Sequence, residues 1–136
     1  MSLLTNAVIH EISKPVVINS DISIVVSQMK EVLQNGGVGI AAPQIGILQQ
    51  IVLCKINGEW ITMINPSWVA KGTERKVSKE GCLSFEGFAD VKKNRFYRIV
   101  VSYLDENYNK QELKLSGLAS FIVQHECDHL IGKTIY

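Results

Sequence analysis

An excess of charge of either sign is the first thing this chain of 136 residues lacks: 14 lysines and arginines against 13 aspartates and glutamates leave a formal net charge of +1. Without a surplus of positive charge there is no electrostatic footprint for nucleic acid or an anionic membrane, and neither is expected as a partner. No apolar run approaches the roughly 18 residues that a membrane-spanning helix needs. The opening residues, Met1-Ser2-Leu3-Leu4-Thr5-Asn6, carry no basic stretch followed by an apolar one, so no secretory signal is expected. Cysteine is scarce and odd in number. Cys54, Cys82 and Cys127 have no framework spacing, which argues against disulfides and for a reducing compartment, by default the cytoplasm. Repeats, low-complexity tracts and linkers are missing too. Residues 1–136 therefore read as a single domain, long enough to bury about 70% of the surface its unfolded chain exposes. The 46% apolar and 20% charged content is ordinary for a soluble globular protein.

What is present falls into two helical patterns with strand patterns between them. Ser20 is a candidate N-cap with Asp21 in the first turn, and Ile22, Val25, Val26, Met29, Val32 and Leu33 repeat at helical spacing. Asn35-Gly36-Gly37 ends that helix, with Gly36 suited to a left-handed cap. Gly37 to Gly46 is rich in small residues and reads locally as a flexible loop between a helix and a strand. Residues 51–56 and 60–64 flank Asn57-Gly58, the signature of a hairpin with a type I′ turn, which Asn65-Pro66 is expected to end. Residues 69–77 carry several charges and read as one exposed ribbon. A second hairpin spans 97–104 and 111–115, after which Ser116 or Gly117 opens the last helix and Gly132 closes it. Strands grouped between two helices, and not alternating with them, indicate an α+β fold with a largely antiparallel sheet.

The last helix carries the chemistry. In Gln124-His125-Glu126-Cys127-Asp128-His129 the two histidines are four apart, about 40° around a helix and one turn displaced, so both imidazoles can reach one ion. Glu126 projects from the flank of that face, where it can meet a water without being a ligand, as in H-E-x-x-H hydrolases. Leu118, Phe121, Ile122, His125 and His129 share one stripe. The histidines thus face the core, where an imidazole pair needs a partner, and a metal would supply one.

A catalytic metal takes three protein ligands and keeps an open position. Cys82, beside Gly81 at a break between strands, is the best candidate for the third. Cys54 lies mid-strand among aliphatics and Cys127 falls opposite the metal face, so both read as packing. Asp128 is a candidate acceptor for a ligand imidazole N–H, and His10 has no evident role. Gln44, polar within an apolar segment, is a candidate hydrogen-bond donor to a developing oxyanion.

Gly37-Val38-Gly39-Ile40-Ala41-Ala42-Pro43-Gln44, Glu80-Gly81-Cys82-Leu83-Ser84 and Gln124-His125-Glu126-Cys127-Asp128-His129 resemble the three signature motifs of the peptide deformylases, in that family's order and with similar spacing. The resemblance implies antiparallel sheets wrapped around a central metal-binding helix. It implies removal of the formyl group from the formylmethionine of newly made polypeptides, at or near the ribosome, with Fe(II) in the native enzyme and Zn(II) or Ni(II) possible after purification. Carried over by position, Cys82, His125 and His129 hold the metal, and Glu126 handles protons. Gln44 and the backbone N–H of Leu83 polarise the formyl oxygen, and Gly39 offers backbone to the peptide. Val38, Leu118, Phe121 and Ile122 match the methionine pocket. The chemistry is consistent: coordination lowers the pKa of water from 15.7 towards about 7, and a thiolate with two neutral imidazoles suits Fe(II) or Zn(II).

The chain departs from the family pattern twice. It has seven residues after His129, where bacterial members continue into a helical tail, and so resembles the short bacteriophage forms, which would place it in a host cytoplasm. Lys93 stands near where the family carries a substrate-side arginine, and a lysine lacks the bidentate geometry. Two alternatives are an H-E-x-x-H metallopeptidase, disfavoured because its third ligand lies farther downstream, and a non-catalytic metal or formyl-peptide binder.

Overall fold

The computed structural model describes residues 10–34, 36–82 and 89–135. Helix α1 (Ser23–Leu33) buries Val26, Met29, Val32 and Leu33, the apolar stripe of the sequence. It starts later than Ser20. Asp21 Oδ1 accepts hydrogen bonds from the Ser23 N–H at 3.0 Å and the Ser23 hydroxyl at 2.7 Å, while the Ser20 hydroxyl donates to the Val17 carbonyl. Ile22 takes the N-cap position without a side-chain cap, so the Ser20 cap is not formed, and the Asp21 carboxylate instead meets the N–H of the first helical residue.

The small-residue segment is not a flexible loop. It forms the buried strand β1 (Gly39–Ala41) and a 3-10 turn, Ala42–Ile45, closed by Gly46 at φ 85°. β1 pairs with β2 (Ile51–Ile56) through Gly39↔Cys54, Ile40↔Leu53 and Ala41↔Val52. Glycine and alanine have little strand propensity, so pairing and burial decide here.

β2 returns through Asn57 (φ 51°) and Gly58 (φ 84°) into β3 (Glu59–Ala70), the two positive φ angles of a type I′ turn. β3 does not stop at Asn65-Pro66. It continues past a register shift between Ile64 and Ser67, and Pro66, with no N–H to donate, sits within that irregularity. The charged ribbon is two strands, the end of β3 and β4 (Arg75–Glu80), separated by a turn with Gly72 at φ 84°. β4 pairs with β5 (Val91–Phe96) as a separate two-stranded sheet, while β6 (Arg98–Leu104) and β7 (Lys110–Ser116) complete a five-stranded sheet of order β1-β2-β3-β6-β7. Every strand pair is antiparallel.

Alternation along β2 divides the core. Val52 and Cys54 join Met63, Ile99, Val101, Ile122, Val123 and Leu130 against helix α2 (Leu118–Leu130). Ile51 and Leu53 join Met29, Ile40 and Ile64 against α1. The large sheet lies between the two helices, and the β4–β5 ribbon approaches α2 from the side. The fold is α+β, with antiparallel sheets packed about a central C-terminal helix.

Candidate active site

Gly117 (φ 63°) turns the chain from β7 into α2, and its N–H donates to the Tyr97 carbonyl at 2.9 Å. Buried Gln124 then fixes the helix to the end of β5. Its amide N–H donates to the Phe96 carbonyl at 2.8 Å, and its carbonyl accepts from the Phe96 N–H at 3.1 Å. This clamp sets how α2 presents the residues that follow. Sequence reading quoted Gln124 without giving it a role.

His125 and His129 sit one turn apart, edge to face, with ring centroids at 5.3 Å. Cys82, just after β4, completes a group of one sulfur and two ring nitrogens, all within 4.8 Å of one another. Metal–sulfur and metal–nitrogen bonds of about 2.3 and 2.0 Å at a tetrahedral angle put such donors roughly 3.5 Å apart. Cys82 Sγ lies 3.4 Å from His129 Nε2. The three residues fit a divalent ion.

The acceptor that orients His125 is not Asp128. Glu80 Oε1 lies 3.0 Å from His125 Nδ1, and Asp128 instead accepts from an Arg95 terminal nitrogen at 2.7 Å. Arg95 holds Glu80 with both ends of its fork, at 2.9 and 2.6 Å. A chain Asp128–Arg95–Glu80–His125 results, buried except at Asp128, and a proton on Nδ1 shared with Glu80 leaves Nε2 free as a ligand. Asp128 lies between the two histidines in sequence but acts one step farther out, because the helix turns it towards Arg95.

Charge is distributed unevenly across the centre. Burial alone would raise the Glu80 carboxyl, but hydrogen bonds from Arg95 and His125 bring it down to about 2. Burial works against a charged His125, yet contacts with Cys82, Glu80 and the Glu126 charge raise it to about 10; burial and the His125 charge press His129 down to about 3. The site favours one positive charge and refuses a second proton, so a bound metal ion would compete with the proton on His125. Burial lifts Glu126 to about 7, the range suited to a proton carrier at neutral pH.

A cavity of about 340 Å³ opens beside these groups, lined by Val38, Gly39, Gln44, Cys82, Glu126 and the apolar Leu118, Phe121 and Ile122, among others. Gln44 is fully buried. Its carbonyl accepts from the Ala41 N–H at 2.9 Å, which turns the amide nitrogen to Cys82 Sγ at 3.6 Å. Glu126 Oε1 is buried and has no hydrogen-bond partner among the described residues.

The polypeptide deformylase family model matches residues 2–136. The chain belongs to the polypeptide deformylase family. It is 40% identical to the peptide deformylase of Endomicrobium trichonymphae over 121 residues, 85% of this chain and 70% of that protein. Its fold matches the crystal structure of PDF from the Vibrio parahaemolyticus bacteriophage VP16T in complex with actinonin with a TM-score of 0.93, at 32% identity, covering 99% of this chain and 100% of that one. It also matches the peptide deformylase of Ehrlichia chaffeensis with a TM-score of 0.92, at 31% identity, covering 98% of this chain and 84% of that one.

The sequence-derived site residues of this deformylase divide into groups. Cys82, His125, Glu126, Gln44 and Gly39 line the cavity, and buried His129 meets Cys82 Sγ at 3.4 Å. Of the apolar set, Ile122 is buried in the core, while Val38 is 49% and Leu118 68% exposed. Leu83 lies outside the described residues. Cys54 and Cys127 pack in the core, and burial raises both thiols, Cys127 to about 12, so neither is disposed to ionise as a ligand. Lys93 pairs with Ser78 on the ribbon; the arginine two residues on, Arg95, carries the buried ion pair.

Glu80 was present in the second motif but had no role. Alternation along β4, where Ser78 and Glu80 are buried and Val77 and Lys79 are exposed, turns it inward. Glu80→Gln should cost about 3–5 kcal/mol, because it leaves the Arg95 charge buried and under-paired. Folding lowers the Glu80 pKa from 4.5 to about 2. The ionised carboxylate therefore contributes its full stability above 4.5, and loses it as pH falls towards 2. Urea denaturation of metal-free wild type and variant should show a gap that is widest near neutrality and closes on acidification. A gap independent of pH would show that the charge of Glu80 is not the source.

Proposed function

We propose that this deformylase hydrolyses the formyl group from the N-terminal formylmethionine of newly made polypeptides, releasing formate and a free α-amine. The observation that carries this reading is the meeting of the Cys82, His125 and His129 donor atoms within 4.8 Å, next to a cavity that also holds Glu126 and Gln44. Cys82, His125 and His129 hold a divalent ion, Fe(II) in the native enzyme, with Zn(II) or Ni(II) able to replace it during purification. When bound, such an ion supplies a Lewis acid that polarises the formyl oxygen and makes water a nucleophile at neutral pH.

The chain's own residues do the rest. Glu126 accepts a proton from the attacking water and returns it to the amine nitrogen as the C–N bond breaks. The Gln44 amide, and from the family resemblance the Leu83 backbone N–H, donate to the oxygen on which charge develops. Gly39 offers its backbone to the peptide. The methionine side chain takes the apolar wall of Val38, Leu118, Phe121 and Ile122, which excludes water from the reacting carbon. No helix among the described residues is long and apolar enough to cross a membrane; the working place proposed is the cytoplasm, beside nascent chains.

Formate release from a formyl-Met peptide, measured on ferrous protein prepared without oxygen and on zinc-loaded protein, tests this reading. The ferrous form should be the faster and should lose activity in air, since Fe(II) beside a thiolate is open to oxidation. Cleavage within the peptide without formate would make the protein a peptidase, and binding without either product would make it a binder. A zinc form as fast as the iron form would remove the iron preference.

A further inference from the structure

We propose that Gly39 is a positioning residue for Glu126: its bare Cα is the surface against which the carboxylate is seated. The inference rests on the reading of Glu126 as the proton carrier. Gly39 is absent from the glycines with positive φ, so its backbone is open to any residue and the need for glycine is one of space. A Cβ built at Gly39 would lie 2.6 Å from Glu126 Oε2, 2.9 Å from Cγ and 3.0 Å from Cδ. Ordinary contact is nearer 3.5–4.0 Å, so the whole end of the glutamate would have to move by most of an ångström.

The strand cannot retreat instead. Gly39 is paired with Cys54, and the preceding carbonyl, of Val38, accepts from the Lys55 N–H at 2.8 Å. β1 is a fixed wall. On the other side, Glu126 Oε1 is buried without a hydrogen-bond partner among the described residues, so no bond from a side chain described here would restore the carboxylate once displaced. Packing against Gly39 is what holds it. The end of a glutamate can swing aside at small cost to folding, whereas misplacing a reacting group by about 1 Å can cost 10²-fold in rate. The clash therefore falls on catalysis.

Gly39→Ala holoenzyme should keep its metal and its KM within about twofold, with kcat down about 10²-fold. In a Glu126→Gln background the same substitution should cost less than about threefold, because the group it displaces no longer carries protons. A rise in KM without the loss of kcat, or an equal cost in both backgrounds, would mean that the added Cβ disturbs the bound peptide and not Glu126, and would overturn the proposal. Stability gives a second reading that survives a failure of Gly39→Ala to fold. Combined with Glu126→Ala, which vacates the space, Gly39→Ala should lower the urea midpoint no further, whereas equal destabilisation there would show that the strand itself rejects a Cβ. If Glu126→Gln alone kept full activity, the proton-carrier reading would fail, and the positioning role with it, whatever the stability pair showed.

Discussion

Cys82→Ala should lose its metal on dialysis and its turnover with it. A neighbour that merely orients a ligand is typically worth about 10–100-fold in metal affinity or activity, so removing one of three ligands should exceed about 100-fold. The two remaining donors, His125 and His129, are pushed in opposite directions in the absence of an ion, one up to about 10 and the other down to about 3. Removing Cys82 takes away a contact that raises His125, yet it leaves a divalent ion two neutral imidazoles and no anionic ligand to offset its charge. Cys54→Ala and Cys127→Ala serve as controls. Both thiols are buried in the apolar cluster beneath α2, so these changes should leave metal content and kcat near the parent and cost some stability through the lost packing. One metal ion per chain and normal formate release in the Cys82 variant would sink the assignment, and loss of metal from either control would move the third ligand.

Periodicity made α2, its two histidines and the flanking glutamate legible, because helical spacing is a local property of sequence. The Asn57-Gly58 hairpin was legible for the same reason: the turn chemistry and its register lie within a dozen residues. What escaped depended on distant partners. β1 reads as a loop because its glycines and alanines carry no strand signal, and only pairing with β2 and burial under the helices make it a strand. Asn65-Pro66 is a sound stop signal, yet β3 absorbs it as an irregularity where the ladder needs no donor from the proline.

The same division governs the centre. Asp128, a sequence neighbour of both histidines, was expected to orient an imidazole, and Glu80, 45 residues from His125, is the group beside Nδ1. Arg95 falls just before the second hairpin and was given no role. Its burial follows from β4 and β5 turning one face to α2, which gathers Glu80 and Arg95 inward and leaves Lys79 and Lys92 outside. A glycine gave the least signal of all, since nothing in the string shows that a carboxylate rests on Gly39.

Glu126→Gln should lower kcat by about 10²–10⁴-fold, the range for a positioned general acid–base group, while metal content stays near one per chain. The amide keeps the shape of the side chain, and it fills the space against Gly39, but it cannot accept a proton from water. Stability should move the other way. Burial lifts the Glu126 pKa from 4.5 to about 7, so the protonated form favours the folded state below 4.5 and that contribution disappears as pH rises through 7. Above neutrality the folded protein holds a buried carboxylate at a cost, which the neutral glutamine removes; the variant should be at least as resistant to urea as its parent there. An acid loss of kcat/KM in the parent should report Glu126 taking up a proton, with an inflection below 7, because a bound cation favours the carboxylate. That inflection should vanish in the residual activity of the variant. Loss of metal from Glu126→Gln would make the residue structural, and retention of most of the activity would require another base. A slower enzyme that is no less stable and keeps its metal would mean that the chain holds a strained carboxylate in its core for the reaction and not for the fold.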